Sequence, residues 1–202
     1  MKYKVITPPS SEPVTLAEAR THLRIEPFGS PLEHPDDAYI STLITIARYF
    51  CEQYLERSLA TQTVVMVVDN FNSTIYLPNA PVQSVDSITY IDVDGVTQTL
   101  ATSVYELDAY ENKIRLKYGQ EFPSVRPQED AVTITFTAGY TNGLSPDTYP
   151  LPAPITAAML LIIGNYYENR QQDVLGSTRI SFNSLPLGIY NLLQPYRLNM
   201  GL

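Results

Sequence analysis

The sequence predicts an α+β protein: a helical core of about four helices, drawn from both ends of the chain, carrying an inserted antiparallel β-sandwich or barrel-like domain. Three observations carry this expectation. Apolar residues recur every three or four positions near both ends, the period changes to two between residues 60 and 137, and the excess acid lies in that middle stretch. The expected division is residues 1–59 plus 151–202 for the helical core and 60–150 for the insert.

Each element has its own signal. Thr15-Leu16-Ala17-Glu18 is a capping box, opening a helix through Leu23 with Leu16, Ala19 and Leu23 on one face. Pro27, Gly29, Pro31 and Pro35 then force a loop. Asp36 or Asp37 caps a second helix running to about Arg57, with Ile40, Leu43, Ile44, Ala47, Phe50, Cys51, Tyr54 and Leu55 in one broad stripe. Seven short strands follow: Thr63–Asp69, Ser73–Leu77, Val85–Val93, Val96–Leu100, Tyr105–Asp108, Lys113–Tyr118 and Ala131–Thr137. The Val/Met content of the first of them predicts a strand covered on both sides. Asp94-Gly95 predicts a type I′ hairpin turn, and Ile114, Leu116 and Tyr118 should share a face. A third helix runs from Pro154 to about Asn169 and is apolar nearly all round. It therefore needs cover on several sides, some of it expected from neighbouring subunits. A short last helix over Leu187–Leu193 is too small to stand alone and must dock.

Composition bounds the function. At 202 residues, 44% hydrophobic and 17% charged, the chain folds as one domain or as a domain with an insertion. Its 15 Tyr and no Trp suit surfaces that become buried on assembly, or ordinary core and sheet faces. The first residues lack an apolar signal region, and the longest apolar run in a predicted helix, Ala157 to Ile163, is too short for a membrane span. One cysteine, Cys51, excludes an internal disulfide and fits a reducing cytoplasm. Residues 60–150 hold eleven acids against four bases, whereas 1–59 net −2 and 151–202 net +1. A segment at −7 repels phosphate, which argues against duplex DNA binding by that surface.

No catalytic motif emerges. The chain has no phosphate-binding glycine loop, no metal-type His pair and no nucleophile elbow. His22 and Cys51 read as structural residues. Asp92-Val93-Asp94-Gly95 resembles the start of a calcium loop, but Ser103 stands where the bidentate acid belongs. The expectation is no catalytic residue, no cofactor and no metal.

Four stretches, in this order, are similar to the head–tail connector (adaptor) family of long-tailed bacteriophages, in its longer members with a β-insert. They are Val14 through Ile25 with Asp36-Asp37, Ala47-Arg48 and Glu52; Ile75 through Val82 running into Ser87–Gly95; Phe136-Thr137-Ala138-Gly139-Tyr140; and Pro154-Ile155 through Tyr166–Arg170, closing with Leu192–Arg197. The resemblance implies a non-enzymatic subunit of the virion neck, made in the host cytoplasm. Copies would form a ring, twelve-fold in the family, beneath the portal protein. The ring would extend a channel through which DNA passes without specific binding, and would offer a platform to a stopper or tail-completion protein. It also implies a portal or subunit interface at Leu185, Pro186, Leu187, Ile189, Tyr190, Leu192, Leu193, Tyr196 and Arg197. Ring packing would fall to Met159, Leu160, Ile163, Tyr167 and Arg170, with Arg170 either in an ion pair between subunits or simply at a polar helix end. The alternatives are a stopper or tail-completion protein of the same particle, a ligand-binding β-module, and a hydrolase using Cys51 or scattered acids.

Overall fold

A computed structural model describes residues 2–28, 33–141, 149–170 and 186–198. In chain order the elements are β1 (Lys2–Thr7), α1 (Leu16–Leu23), α2 (Asp37–Leu55), β2 (Gln62–Val68), β3 (Thr74–Tyr76), β4 (Val82–Ile91), β5 (Thr97–Thr99), β6 (Tyr105–Asp108), β7 (Lys113–Leu116), β8 (Val132–Ala138), α3 (Ala153–Glu168) and α4 (Leu187–Leu193). A 3₁₀ turn over Gln194–Tyr196 follows. The chain divides into two compact units, Met1–Ser10 with Glu56–Pro150, and Ser11–Leu55 with Leu151–Leu202.

The β unit holds two antiparallel sheets, one ordered β1-β2-β8-β4-β5 and one ordered β3-β7-β6. Alternation decides what each strand buries. Val132, Ile134 and Phe136 of β8 are fully buried and meet Val64 and Met66 of β2, Ile88 of β4, and Ile75 and Ile114 of the smaller sheet. That shared apolar core makes a sandwich of two open sheets, and the barrel alternative is not what forms. Truncating Phe136 to Ala would remove ~3–5 kcal/mol. Asn112 connects distant parts of this unit: its side-chain oxygen accepts from the Val82 amide (2.9 Å) and its carbonyl accepts from the Leu77 amide (2.8 Å).

Several local expectations change here. β2 fully buries one face only, with Val65 and Val67 on the other face half-buried. At the β4–β5 hairpin Gly95 has φ +85° but Asp94 does not have positive φ. Gly95 N–H donates to the Asp92 carbonyl (2.9 Å), so the turn is type I followed by a left-handed glycine rather than type I′. The Asp92 carboxylate accepts from the amides of Asp94 and Val96 and from Gln98, which holds it below the usual carboxylate range and leaves it engaged within its own turn. Tyr118 lies beyond the end of β7 and is fully exposed. The first residues, expected with the helices, form β1 against β2.

In the helical unit the capping box is complete. The Thr15 hydroxyl accepts from the Glu18 amide (3.2 Å) and Glu18 Oε2 accepts from the Thr15 amide (2.8 Å). Val14 before the cap and Ala19 in the first turn are both fully buried, at the positions of a hydrophobic staple. Arg24 ends α1 in the left-handed region, its N–H turned back to the carbonyls of Arg20 and Thr21. α2 buries Ile40, Leu43, Ile44, Ala47, Cys51 and Leu55. Helix α3 starts after Pro152 with Pro154 in its first turn, where no N–H is needed. It packs against α2, α4 and α1. Ile155, Ala158, Met159, Ile162 and Ile163 are thereby buried, while Leu161 stays 43% exposed.

Candidate assembly surfaces

The beginning of α2 and the end of α3 are tied by a cluster of charged and aromatic groups. The Asp36 carboxylate accepts from the Tyr167 hydroxyl and from Arg170 Nη2 (2.8 Å). These two bonds hold its carboxyl below the usual range, and the carboxylate in turn pushes the Tyr167 phenol up. The Arg170 guanidinium lies over the rings of Tyr39 (4.6 Å) and Tyr167 (4.8 Å), and the Tyr39 hydroxyl donates to the Tyr166 carbonyl (3.2 Å). Next to it, Arg20 of α1 pairs with Asp37, whose carboxylate also accepts from the His34 amide (2.8 Å). The Arg20 bond holds the Asp37 carboxyl down. Arg170 thus satisfies its charge within its own chain, at a site rather richer than a bare helix end.

A second charged group lies on α2. Arg48 is only 5% exposed, yet it donates to Glu12 (2.7 and 3.3 Å) and to Glu52 (2.9 Å). This anchors the segment before α1 to α2. Glu52 is one helical turn from Arg48, whereas Glu12 is remote from it in sequence.

Of the expected interface residues, Leu185 lies outside the described residues. Pro186 is exposed and Leu187 is 75% exposed. Ile189 and Leu193 are fully buried, because α4 docks on α3 and α2 of its own unit. Tyr190 is half-buried, edge-on to Phe50 and Tyr54, and Arg197 lies over the Tyr54 ring (5.5 Å). Leu192 and Tyr196 are half-buried. Of the expected ring-packing residues, Met159 and Ile163 are fully buried and present no surface to another copy. Leu160 and Tyr167 are half-buried and Arg170 is exposed. Leu161, beside Leu160, is an exposed large apolar side chain on α3 that the expected set omits.

The candidate catalytic groups are not arranged for chemistry. Cys51 is fully buried and desolvation, with Glu52 nearby, pushes its thiol up to about 12, far from a nucleophilic thiolate. His22 is exposed at a shallow open cleft with Ala17, Glu18, Thr21 and Leu160. Among the described residues no group of three or more His, Cys, Asp or Glu could hold a metal ion, and no helix is long and apolar enough to cross a membrane.

Solved structures share this fold over essentially the full length. The chain is similar to a chain in the neck of an empty gene transfer agent particle computed with C6 symmetry (TM-score 0.76, 24% identity, 100% of this chain and 98% of that one). It is similar to a chain in the virion of a native gene transfer agent particle (TM-score 0.74, 23%, 100% and 98%) and to one in the neck of the native particle computed with C12 symmetry (TM-score 0.72, 23%, 100% and 98%). No curated protein matches the chain. The family model for head completion proteins matches residues 28–198, which spans β2 to β8 and α2 to α4 but neither β1 nor α1. With most of its length matched, the chain belongs to the head completion protein family.

Proposed function

We propose that this head completion protein is a structural subunit of the phage neck that joins head to tail: copies close into a ring beneath the portal and extend the DNA channel. The observation that carries it is the family match over residues 28–198, on a fold shared end to end with neck proteins. Those necks were computed with C6 and C12 symmetry, which supports a ring of twelve copies. A ring requires two different, complementary faces on each copy. Leu160, Leu161 and the Tyr167–Arg170 end of α3 make one exposed face available. The portal contact is assigned to the accessible part of the last segment, Pro186, Leu187, Leu192, Tyr196 and Arg197. The next neck or tail protein would sit on the face away from the portal. Work of this kind needs no catalysis, and the inert Cys51 fits it. A net charge of −8 per copy is compatible with DNA passing without retention, since each neutralised phosphate releases counterions and favours binding; most of that charge is in 60–150, which on an outer face would serve solubility or partner selection instead.

The test is mass measurement of the purified chain in solution, alone and with portal, followed by electron microscopy of any ring. A ring that binds portal is the expected result. A chain that stays monomeric under both conditions refutes it. Cross-links from residues 186–198 to tail tube instead of portal would move the chain to a tail-completion role.

A further inference from the structure

All six residues of β1 are exposed, on both faces of the strand, although five of them are in register with β2. The register sets Tyr3 opposite Met66 and Val5 opposite Val64, so these side chains extend the face of the sheet that is buried farther in. They nevertheless remain 52% and 41% exposed. β1 is therefore held by ladder hydrogen bonds and by the pair of Lys2 with Asp130 (3.0 Å), whose side chains are 66% and 42% exposed. No side chain of β1 is committed to the core. The chain then continues through Pro8-Pro9-Ser10-Ser11-Glu12-Pro13, and the boundary between the two compact units falls between Ser10 and Ser11. Three prolines stiffen that stretch by fixing φ.

A strand attached in this way loses nothing if it comes from another copy. Every copy carries the same β1, so the ladder to β2 and the Lys2–Asp130 pair are remade unchanged, which is what makes exchange of an identical element a low-cost route to assembly. We propose that β1 is exchanged between adjacent copies, each laying residues 2–7 on the β2 edge of the next. This rests on the ring reading above. Passed head to tail, each copy gives one strand and takes one, so closure leaves no β2 edge bare. Charge favours the same occupant. Lys2 and Lys4 are cations brought to a segment that otherwise nets −7, so each neighbour's strand would arrive with the complementary sign. The same lysines disfavour the competing arrangement, two β1 edges paired with each other, because it sets like charges side by side.

The test uses the unaltered chain. Equal amounts of unlabelled and nitrogen-15-labelled protein are mixed, assembled, treated with a zero-length carbodiimide cross-linker and digested, and the peptide pairs joining Lys2 to Asp130, or to Glu129 whose carboxylate is 3.9 Å from it, are weighed. Exchange predicts roughly half of these pairs joining one light and one heavy peptide, as random mixing of two equal pools in head-to-tail contact requires. Rings whose pairs are all light–light or heavy–heavy overturn the exchange and leave the ring reading standing. Mixed pairs in a species that closes no ring would keep the exchange and remove the ring. A strictly monomeric chain removes both. As a second measurement, Lys4→Cys with Val65→Cys, oxidised after assembly, should give a ladder of linked chains on a non-reducing gel. Only unlinked mobility would overturn the exchange.

Discussion

Replacing Gly139 with Ala should damage the β unit far more than one added methyl suggests. Gly139 follows β8 with φ +123°, a conformation that L-residues rarely adopt. A Cβ there would lie 2.1 Å from the Ala60 carbonyl oxygen and 2.8 Å from the Thr61 amide nitrogen, both of them backbone. The residue has no room to retreat, since its N–H donates to the Pro81 carbonyl (2.8 Å) and its carbonyl accepts from Gln83 Nε2 (2.7 Å). The strained conformation costs about 1–3 kcal/mol and the enforced backbone shift a similar amount, together about 2–6 kcal/mol. Gly119 is the control. Its φ is also positive, +74°, but a Cβ there meets nothing within 4 Å, so Gly119→Ala should lose only ~1 kcal/mol. Thermal melts followed by far-UV circular dichroism would read the difference, with a gap between the two variants on the order of 10–20 °C for a unit of about 100 residues. Tyrosine fluorescence is the second probe, as the chain has no Trp. A Gly139→Ala protein melting within ~1 kcal/mol of Gly119→Ala would refute the close-approach argument.

Arg48→Met should cost the helical unit ~2–4 kcal/mol in urea unfolding, below the full range for a buried pair because Glu12 is partly open to solvent. Adding Glu12→Gln and Glu52→Gln should recover part of the loss, and no loss in the single variant would show the ion triad to be idle. Asp36 and Asp37 both have depressed carboxyl pKa values, so the stability they supply is present above the ordinary Asp range and disappears as pH falls through their folded-state values. Asp36→Asn should lower stability at neutral pH and flatten the acid side of the melting profile, and an unchanged profile would contradict this. Cys51 should not react with iodoacetamide at pH 8 until the chain is unfolded; mass spectrometry of the native protein showing prompt modification would contradict its burial. Leu187→Asp should leave the melt unchanged, because the side chain is 75% exposed, yet weaken portal binding in a pull-down. Full binding would remove Leu187 from the contact.

Much of the secondary structure was legible because its signals are local. Thr15 and Glu18 lie three residues apart and find each other wherever α1 goes. Val132, Ile134 and Phe136 alternate along one strand, and all three point into the core. β1 was missed although Lys2-Tyr3-Lys4-Val5 alternates, because so short a run is made a strand by its pairing with β2, which lies far along the chain. The turn at Asp94-Gly95 was misread since the dipeptide suits two turn types, and the choice between them follows from how the flanking strands meet.

The candidate surfaces were less legible. The apolar character of α3 and α4 was visible, but which side chains remain accessible was not. Met159, Ile163, Ile189 and Leu193 were expected at interfaces and are used up inside their own unit, whereas Leu161 and Leu187 are left outside. Sequence alone therefore determined the helices and the strands β2 to β8, the capping box of α1 and the uneven charge, which follow from local pattern and composition. Tertiary structure alone decided the strand order β1-β2-β8-β4-β5, the pairing of Arg48 with Glu12 and of Arg170 with Asp36, and the fate of each apolar side chain. These depend on contacts between residues far apart in the chain, which periodicity and spacing do not encode.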